Sequence, residues 1–483
     1  MSRVGSVARD SAKTLGGQWT RYLLQIVALV LFSRLLTPAD YGIVTMATAV
    51  TSIAFVVGDF GLSLAAIQAP TLSDAHRSAL FWVNTSLGVV IAGVVLASSR
   101  LVGEFYGNSA VSGVVALLSA SFVLSGIGVQ YRVELTRSGR FGLLAGQDVA
   151  AQFVGMVVGF ICILCGLQYW SLVWMQLTIA LVPLIVMVWS VPWRPGRPRL
   201  TAGLRPFMTF GAYTFGTQVI NYMSANLDSI LLGRASGASA LGLYNRAYQF
   251  AFTPIQQVAS PLTRVFLPSL AAVARNGKAL GAQVGRVQVV LVYSLGAVLA
   301  LLFVEAPVAL PWILGSDWVG AVRLLQVLSV AALLQVCGYP FYWALLALGK
   351  TRVLFWAELG PRVVMLVGLL LAAPRGAFSV ALVVGGGQLL VLVALAVVTI
   401  PAMTHGGLVG CLLRPMAVLT AASAASVAGY TVIATFDPFS QVAVLALIWA
   451  AVFGCSLLIR AIRRDVAAIV DVARSLSGRT RSA

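Results

Sequence analysis

The side chains of this chain best suited to hold a polar solute lie inside its apolar stretches. Gln18, Arg21, Gln25 and Asp59 stand near the N-terminus, and Gln218, Asn221, Asn226, Asp228, Asn245, Arg246, Gln249, Gln256 and Gln257 form a second group two hundred positions on. Amides offer a donor and an acceptor together, which suits sugar hydroxyls, and an arginine fork suits phosphate bidentately. Gln18, Arg21, Gln218, Asn221, Asn226, Asn245, Arg246 and Gln249 are therefore the candidate substrate-binding residues. Asp59 and Asp228 are candidates for ion pairing or for coupling to a cation. The competing reading is that these groups are hydrogen-bond glue between helices. Asp148 and Glu358 are two further carboxylates in apolar surroundings, equally able to bind a cation or to pair with an arginine.

Catalytic signatures are missing. Gly349-Lys350-Thr351 ends like a phosphate-binding loop, but Ala344 stands where its first glycine belongs. The two histidines, His76 and His405, are far apart and read as solvated loop residues. All five cysteines, including the Cys162/Cys165 pair, lie in apolar runs without the polar neighbours that thiolate chemistry needs. Asn84-Thr-Ser86 has glycosylation spacing but sits inside a span, and Gly385-Gly-Gly387 reads as close helix packing. No enzyme activity, cofactor or metal is expected.

The elements that must position the polar groups follow from composition. The chain has 483 residues, 60% apolar and only 10% charged, with a mean hydropathy of +0.95, which excludes a string of soluble domains. Apolar runs predict fourteen membrane-spanning helices, six before the polar loop Trp193-Arg-Pro-Gly-Arg-Pro-Arg199 and eight after it. With the N-terminus on the cytoplasmic side, 23 of the 32 lysines and arginines fall in cytoplasmic segments. That bias sets the topology, with both termini cytoplasmic, and accounts for a net charge of +18 without nucleic acid. The first apolar stretch is too long for a signal peptide and lacks a cleavage site, so it reads as an uncleaved span.

An ungapped offset of 200 residues relates 12–47 to 212–247, with Gly16/Gly216, Gln18/Gln218, Tyr22/Tyr222, Arg34/Arg234 and Gly42/Gly242 among the identities. The repeat predicts two pseudo-symmetric six-helix lobes, 1–205 and 206–405, followed by two appended helices and a basic tail in 406–483. The fold class is all-α. Arg34 and Arg234 then sit at equivalent periplasmic ends, as exit-site cations or as interfacial anchors. Asp228 and Arg246 each lie nine positions from Gly237, where the turn between spans 7 and 8 is expected, so equal depth permits an ion pair. Arg21 has Asp59 as its candidate partner.

Arg34-Leu-Leu-Thr-Pro-Ala-Asp-Tyr-Gly42, Val57-Gly-Asp-Phe-Gly-Leu62 and Ala66-Ile-Gln68 carry a family resemblance, with Asn226-Leu-Asp-Ser-Ile-Leu-Leu-Gly-Arg234 and Ala240-Leu-Gly-Leu-Tyr-Asn-Arg-Ala-Tyr248 at the second repeat. The chain resembles the Wzx-type polysaccharide flippases of the multidrug/oligosaccharidyl-lipid/polysaccharide exporter superfamily, in the exopolysaccharide and colanic-acid branch. The resemblance covers most of 10–275. It implies alternating access in the bacterial inner membrane, with an undecaprenyl-pyrophosphate-linked glycan as substrate, membrane lipid around it, and polymerase and glycosyltransferases of the same pathway as partners. It also implies that cavity arginines hold the pyrophosphate, with Arg21 and Arg246 as the candidates. Two other functions compete. A drug or cation antiporter would use Asp59 and Asp228; a polysaccharide polymerase or ligase would need a long periplasmic loop, which the sequence lacks.

Overall fold

The computed structural model describes residues 2–59, 66–67, 72–197, 205–275, 280–402, 408–433, 436–456, 458–460 and 462–463. Among them every regular element is helical. Helix α1 runs Ser2–Leu35, α2 Pro38–Asp59, α3 Asp74–Tyr106, α4 Ser109–Leu118, α5 Ala120–Arg137, α6 Phe141–Leu164 and α7 Trp170–Ser190. They are followed by α8 Arg205–Arg275, α9 Leu280–Leu291, α10 Ala297–Leu314, α11 Ala321–Ala347, α12 Thr351–Ala372, α13 Ala377–Thr399, α14 Leu408–Ile433 and α15 Pro438–Ser456. Nine helical segments among the described residues are long and apolar enough to cross a membrane. The chain is an all-α polytopic membrane protein.

Local sequence explains where the helices start and stop. Thr37 and Asp40 form a reciprocal cap on α2: the Thr37 N–H and hydroxyl donate to Asp40 Oδ2 at 2.9 and 2.7 Å, and the Asp40 N–H donates back to Thr37 Oγ1 at 3.3 Å. Pro38, in the first turn, has no N–H to leave unpaired there. Thus the Thr-Pro-Ala-Asp run is the turn that starts the second span. Ser73 caps α3 by accepting from the His76 N–H at 3.3 Å, and the His76 ring lies 2.7 Å from the same hydroxyl, so His76 belongs to a helix cap. In α8 the one residue with non-helical dihedrals is Gly237, at φ 82°, a conformation that side chains resist, and the turn falls where the sequence put it.

The chain packs as two compact units, 1–242 and 243–483. In the first, α6 packs on α7 and α1, α3 on α5 and α4, and α2 on α4. Its aromatic core gathers Phe81, Tyr131, Leu135, Met187 and Val191. The polar loop is strapped to this core: Trp82 Nε1 donates to the Gly196 carbonyl at 2.8 Å, the Gly196 N–H donates to Ser78 Oγ at 3.0 Å, and the Trp193 ring meets Tyr131 edge-on at 5.6 Å. Arg140 and Arg194 donate to the carbonyls of Ser190 and Val191, where the end of α7 leaves acceptors unpaired.

One contact inside this unit involves both copies of the repeat. A Cβ built on Gly42 would overlap the Ala238 carbonyl oxygen, and one built on Gly242 would overlap the Pro38 carbonyl oxygen. Small residues allow this backbone-on-backbone approach, as at helix crossings in membranes generally.

In the second unit α11 packs on α13 and α10, α12 on α13, and α14 on α15. Val292, Cys337, Leu419, Ala422 and Trp449 form its core. A π-helical turn, Val292–Gly296, joins α9 to α10.

Candidate functional site

In each unit one cluster of polar groups contains candidates marked in the sequence. In the first, Arg132 on α5 directs one guanidinium nitrogen at both oxygens of Asp148 on α6, at 2.8 and 3.0 Å. Arg21 on α1 approaches the same carboxylate, 3.9 Å from Oδ2. Asp148 is thus shared by two arginines and neutralises only one of them. The side chains keep 45% (Arg21), 52% (Arg132) and 26% (Asp148) of their surface exposed, so both guanidinium groups retain accessible donors. Depth agrees between α5 and α6: Arg132 is five residues before the end of α5 and Asp148 seven after the start of α6, or about 8 to 10 Å along each axis.

In the second unit Arg246 is almost fully buried, with 4% of its surface exposed. Its guanidinium lies over the Trp318 ring, 5.5 Å from the centroid, and donates to Gln249 Oε1 at 3.0 Å. The Gln249 amide in turn donates to Asn245 Oδ1 at 3.0 Å. Sequence reasoning assigned these three residues separately, and helical spacing of three and four joins them into one chain of hydrogen bonds. The Tyr248 and Phe252 rings stack at 4.4 Å on the same helix. Trp318 was missed, because it falls between apolar runs. The left-handed Gly315 (φ 108°) and the short turn Ser316–Trp318 bring it back onto α8, where Gly320 also lies against Leu243.

The remaining candidates have surroundings of their own. Gln18 is exposed on α1 and Asn226 half-buried on α8. Asp228 is buried and accepts the Ser229 N–H at 2.7 Å. It belongs to the first unit and Arg246 to the second. Arg34 and Arg234 are exposed, and Arg234 lies over the Phe105 ring at 5.9 Å. The side chains of Asp59, Gln218 and Asn221 lie outside the described residues. Of the two further carboxylates, Asp148 serves the arginine pair and Glu358 pairs with Arg362 one turn on, at 3.6 Å.

Comparison with known proteins matches residues 31–323 to a family described as polysaccharide biosynthesis protein. The match contains both clusters except Arg21. Lipopolysaccharide biosynthesis protein WzxC of Escherichia coli (strain K12) is 26% identical over 339 residues, covering 69% of this chain and 68% of WzxC. Teichuronic acid biosynthesis protein TuaB of Bacillus subtilis (strain 168) is 28% identical over 374 residues, 74% of this chain and 75% of TuaB. Among solved structures, the lipid II flippase MurJ in an inward closed conformation aligns with a TM-score of 0.72 over 94% of this chain and 99% of that one. At 12% identity that alignment shows a common fold.

Proposed function

Because the chain belongs to the polysaccharide biosynthesis protein family, we propose that it is a flippase: it moves an undecaprenyl-pyrophosphate-linked oligosaccharide from the cytoplasmic to the periplasmic leaflet of a bacterial inner membrane. The product would feed an exopolysaccharide, capsule or O-antigen, with polymerase and glycosyltransferases of the same pathway on either side of the step. Movement is by alternating access of two lobes, 1–205 and 206–405, with 406–483 appended and both termini cytoplasmic. The protein transports, and does no bond chemistry of its own.

The observation that carries this reading is the sharing of Asp148 by Arg21 and Arg132. Two guanidinium groups against one carboxylate leave a net positive charge, with donors still accessible, and a diphosphate supplies the missing anion in the geometry that an arginine fork accepts. In the topology that the charge bias favours, Arg132 and Asp148 lie about two turns inside the cytoplasmic ends of α5 and α6, where a lipid diphosphate enters. The Asn245–Arg246–Gln249 chain with its aromatic neighbours suits the glycan, since amides pair with hydroxyls and ring faces pack on sugar C–H surfaces.

Reconstitution tests the proposal. A fluorescent undecaprenyl-pyrophosphate-linked oligosaccharide in proteoliposomes should become accessible to an impermeant quencher only when the protein is present. Wild-type protein that leaves the label in its original leaflet refutes the function.

A further inference from the structure

One ionisable group in the second unit takes no part in either cluster. Glu305 lies within α10, nine residues before its end, about 13 Å along the axis. Only 5% of its surface is exposed, and both carboxyl oxygens are buried without a hydrogen-bond partner among the described residues.

The helix around it is interrupted. Pro307 has no N–H to return to the Phe303 carbonyl, and that carbonyl is taken instead by Gln326 Nε2 of α11 at 3.1 Å. Pro311 removes a second backbone donor one turn on, and the π-helical turn Val292–Gly296 lies at the other end of the same span. Glu305 thus sits in a turn whose backbone ladder is broken and patched by a neighbouring helix. Broken helices and π-helical turns are recurrent features of membrane transport sites.

Among the described residues no cation neutralises it. The elements packed on α10 carry Arg323, Cys337, Tyr339 and Tyr342 on α11, Arg414 on α14, Cys455 on α15, Asp317 in the turn before α11, and Tyr293 in the π-helical turn. Among described side chains, none of these bonds to Glu305. A carboxylate ion with neither donor nor counter-ion in an apolar interior is strongly disfavoured against the neutral acid. Structural carboxylates in this protein are treated differently: Asp148, Glu358 and Glu134 all have arginines.

We propose that Glu305 is the proton-binding site that couples this transporter to the proton gradient. In the conformation seen here it holds a proton. Release requires water or a cation to reach the carboxylate, which the patched turn permits if Gln326 lets go of Phe303 as α10 and α11 shift. A ligand that binds one conformation and not the other shifts the equilibrium between them, and here the ligand is H+. The coupling role rests on the transport reading above; proton occupancy does not.

Two measurements separate these parts. Dicyclohexylcarbodiimide adds to protonated carboxyl groups in apolar surroundings, so membranes holding the full-length wild-type chain are treated with it between about pH 6 and about pH 9 and Glu305 is examined by peptide mass spectrometry. The expected result is an adduct at Glu305 that declines as pH rises, with none at ion-paired Asp148 or Glu358. An unmodified Glu305 throughout the range overturns the proposal, and this arm needs no substrate and no variant. In proteoliposomes, Glu305→Gln, which mimics the protonated acid, should lower gradient-driven flipping by about ten-fold or more and remove its sensitivity to a protonophore. Wild-type rate and protonophore sensitivity in Glu305→Gln overturn the coupling. Wild-type protein that flips nothing, yet gains the Glu305 adduct, overturns the transport reading while leaving the proton site in place.

Discussion

Gly42 and Gly242 each rest on the carbonyl oxygen four residues before the other, Gly42 on Ala238 and Gly242 on Pro38. Exchanging the two copies of the 200-residue repeat leaves the contact unchanged, so the sequence repeat becomes a local two-fold relationship. Because backbone stands on both sides, no rotamer change relieves an added methyl. Gly42→Ala and Gly242→Ala should each lower the melting temperature in detergent, with an overpacking cost of about 1–3 kcal/mol. Gly93, with open space around it on α3, is the control, and Gly93→Ala should be neutral or stabilising by roughly 0.5–1 kcal/mol. Equal behaviour of the three variants would show that the crossing opens freely.

Arg21 and Arg132 should act as one site. Arg21→Gln and Arg132→Gln are each expected to weaken binding of a detergent-solubilised prenyl diphosphate by about ten- to a hundred-fold, in line with loss of a charged hydrogen bond of about 1.5–3 kcal/mol. Lysine at either position should restore only part of the loss, since it supplies charge without the fork. The exchange Arg132→Asp with Asp148→Arg keeps the ion pair and relocates the charge. Full function in that double variant would show that Asp148 and Arg132 merely tie α5 to α6.

Removal of the Trp318 ring should be felt through Arg246. A desolvated cation–π contact is worth about 2 kcal/mol, so Trp318→Leu should lower glycan affinity or stability measurably, whereas Trp318→Phe should retain most of both. Arg246→Gln leaves Gln249 Oε1 without its donor and should cost about 1–3 kcal/mol of stability. The expected Asp228 pairing is tested by exchanging the charges, Asp228→Arg with Arg246→Asp: a static pair tolerates the exchange, and a substrate-binding arginine does not.

Acid should loosen the start of α15. Asp437 accepts from the Ser440 N–H at 3.1 Å and from the Ser440 hydroxyl at 2.6 Å, which holds its carboxyl below the usual range. A depressed folded-state value means that the cap contributes above the ordinary carboxylate range and is lost as pH falls through the folded-state value. Amide protection factors at 439–441, taken against the intrinsic exchange rate at each pH, should therefore fall on acidification in the wild type. In Asp437→Ala protection should be low at every pH, and a wild-type profile in that variant would rule out the cap.

Hydropathy and turn chemistry made much of the fold legible, because long apolar runs and a left-handed glycine leave few alternatives; Gly237 is the clearest case. The sites were legible only in part. An arginine partner for Asp148 is among the sequence expectations, but its identity as Arg132 is not legible, since their contact joins neighbouring spans through side-chain direction, which linear spacing does not encode. Asn245, Arg246 and Gln249 were each marked, but Trp318 joins them only through the Gly315 turn. Glu305 escaped notice because one acid barely changes the mean of an apolar run.

The strap between the polar loop and α3 dictates an order of assembly. Its bonds join Trp82 to Gly196 and Ser78 to Gly196 across 114 and 118 residues, so during synthesis the indole N–H waits until more than a hundred further residues have left the ribosome. Up to that point α3, α5 and α7 are held by lipid and by one another, and a nascent chain stopped before Trp193 exposes the Phe81 and Tyr131 ring edges that this segment covers. Ribosome arrest placed upstream and downstream of Gly196 would therefore yield products differing in protease resistance, the longer one already closed over its aromatic core.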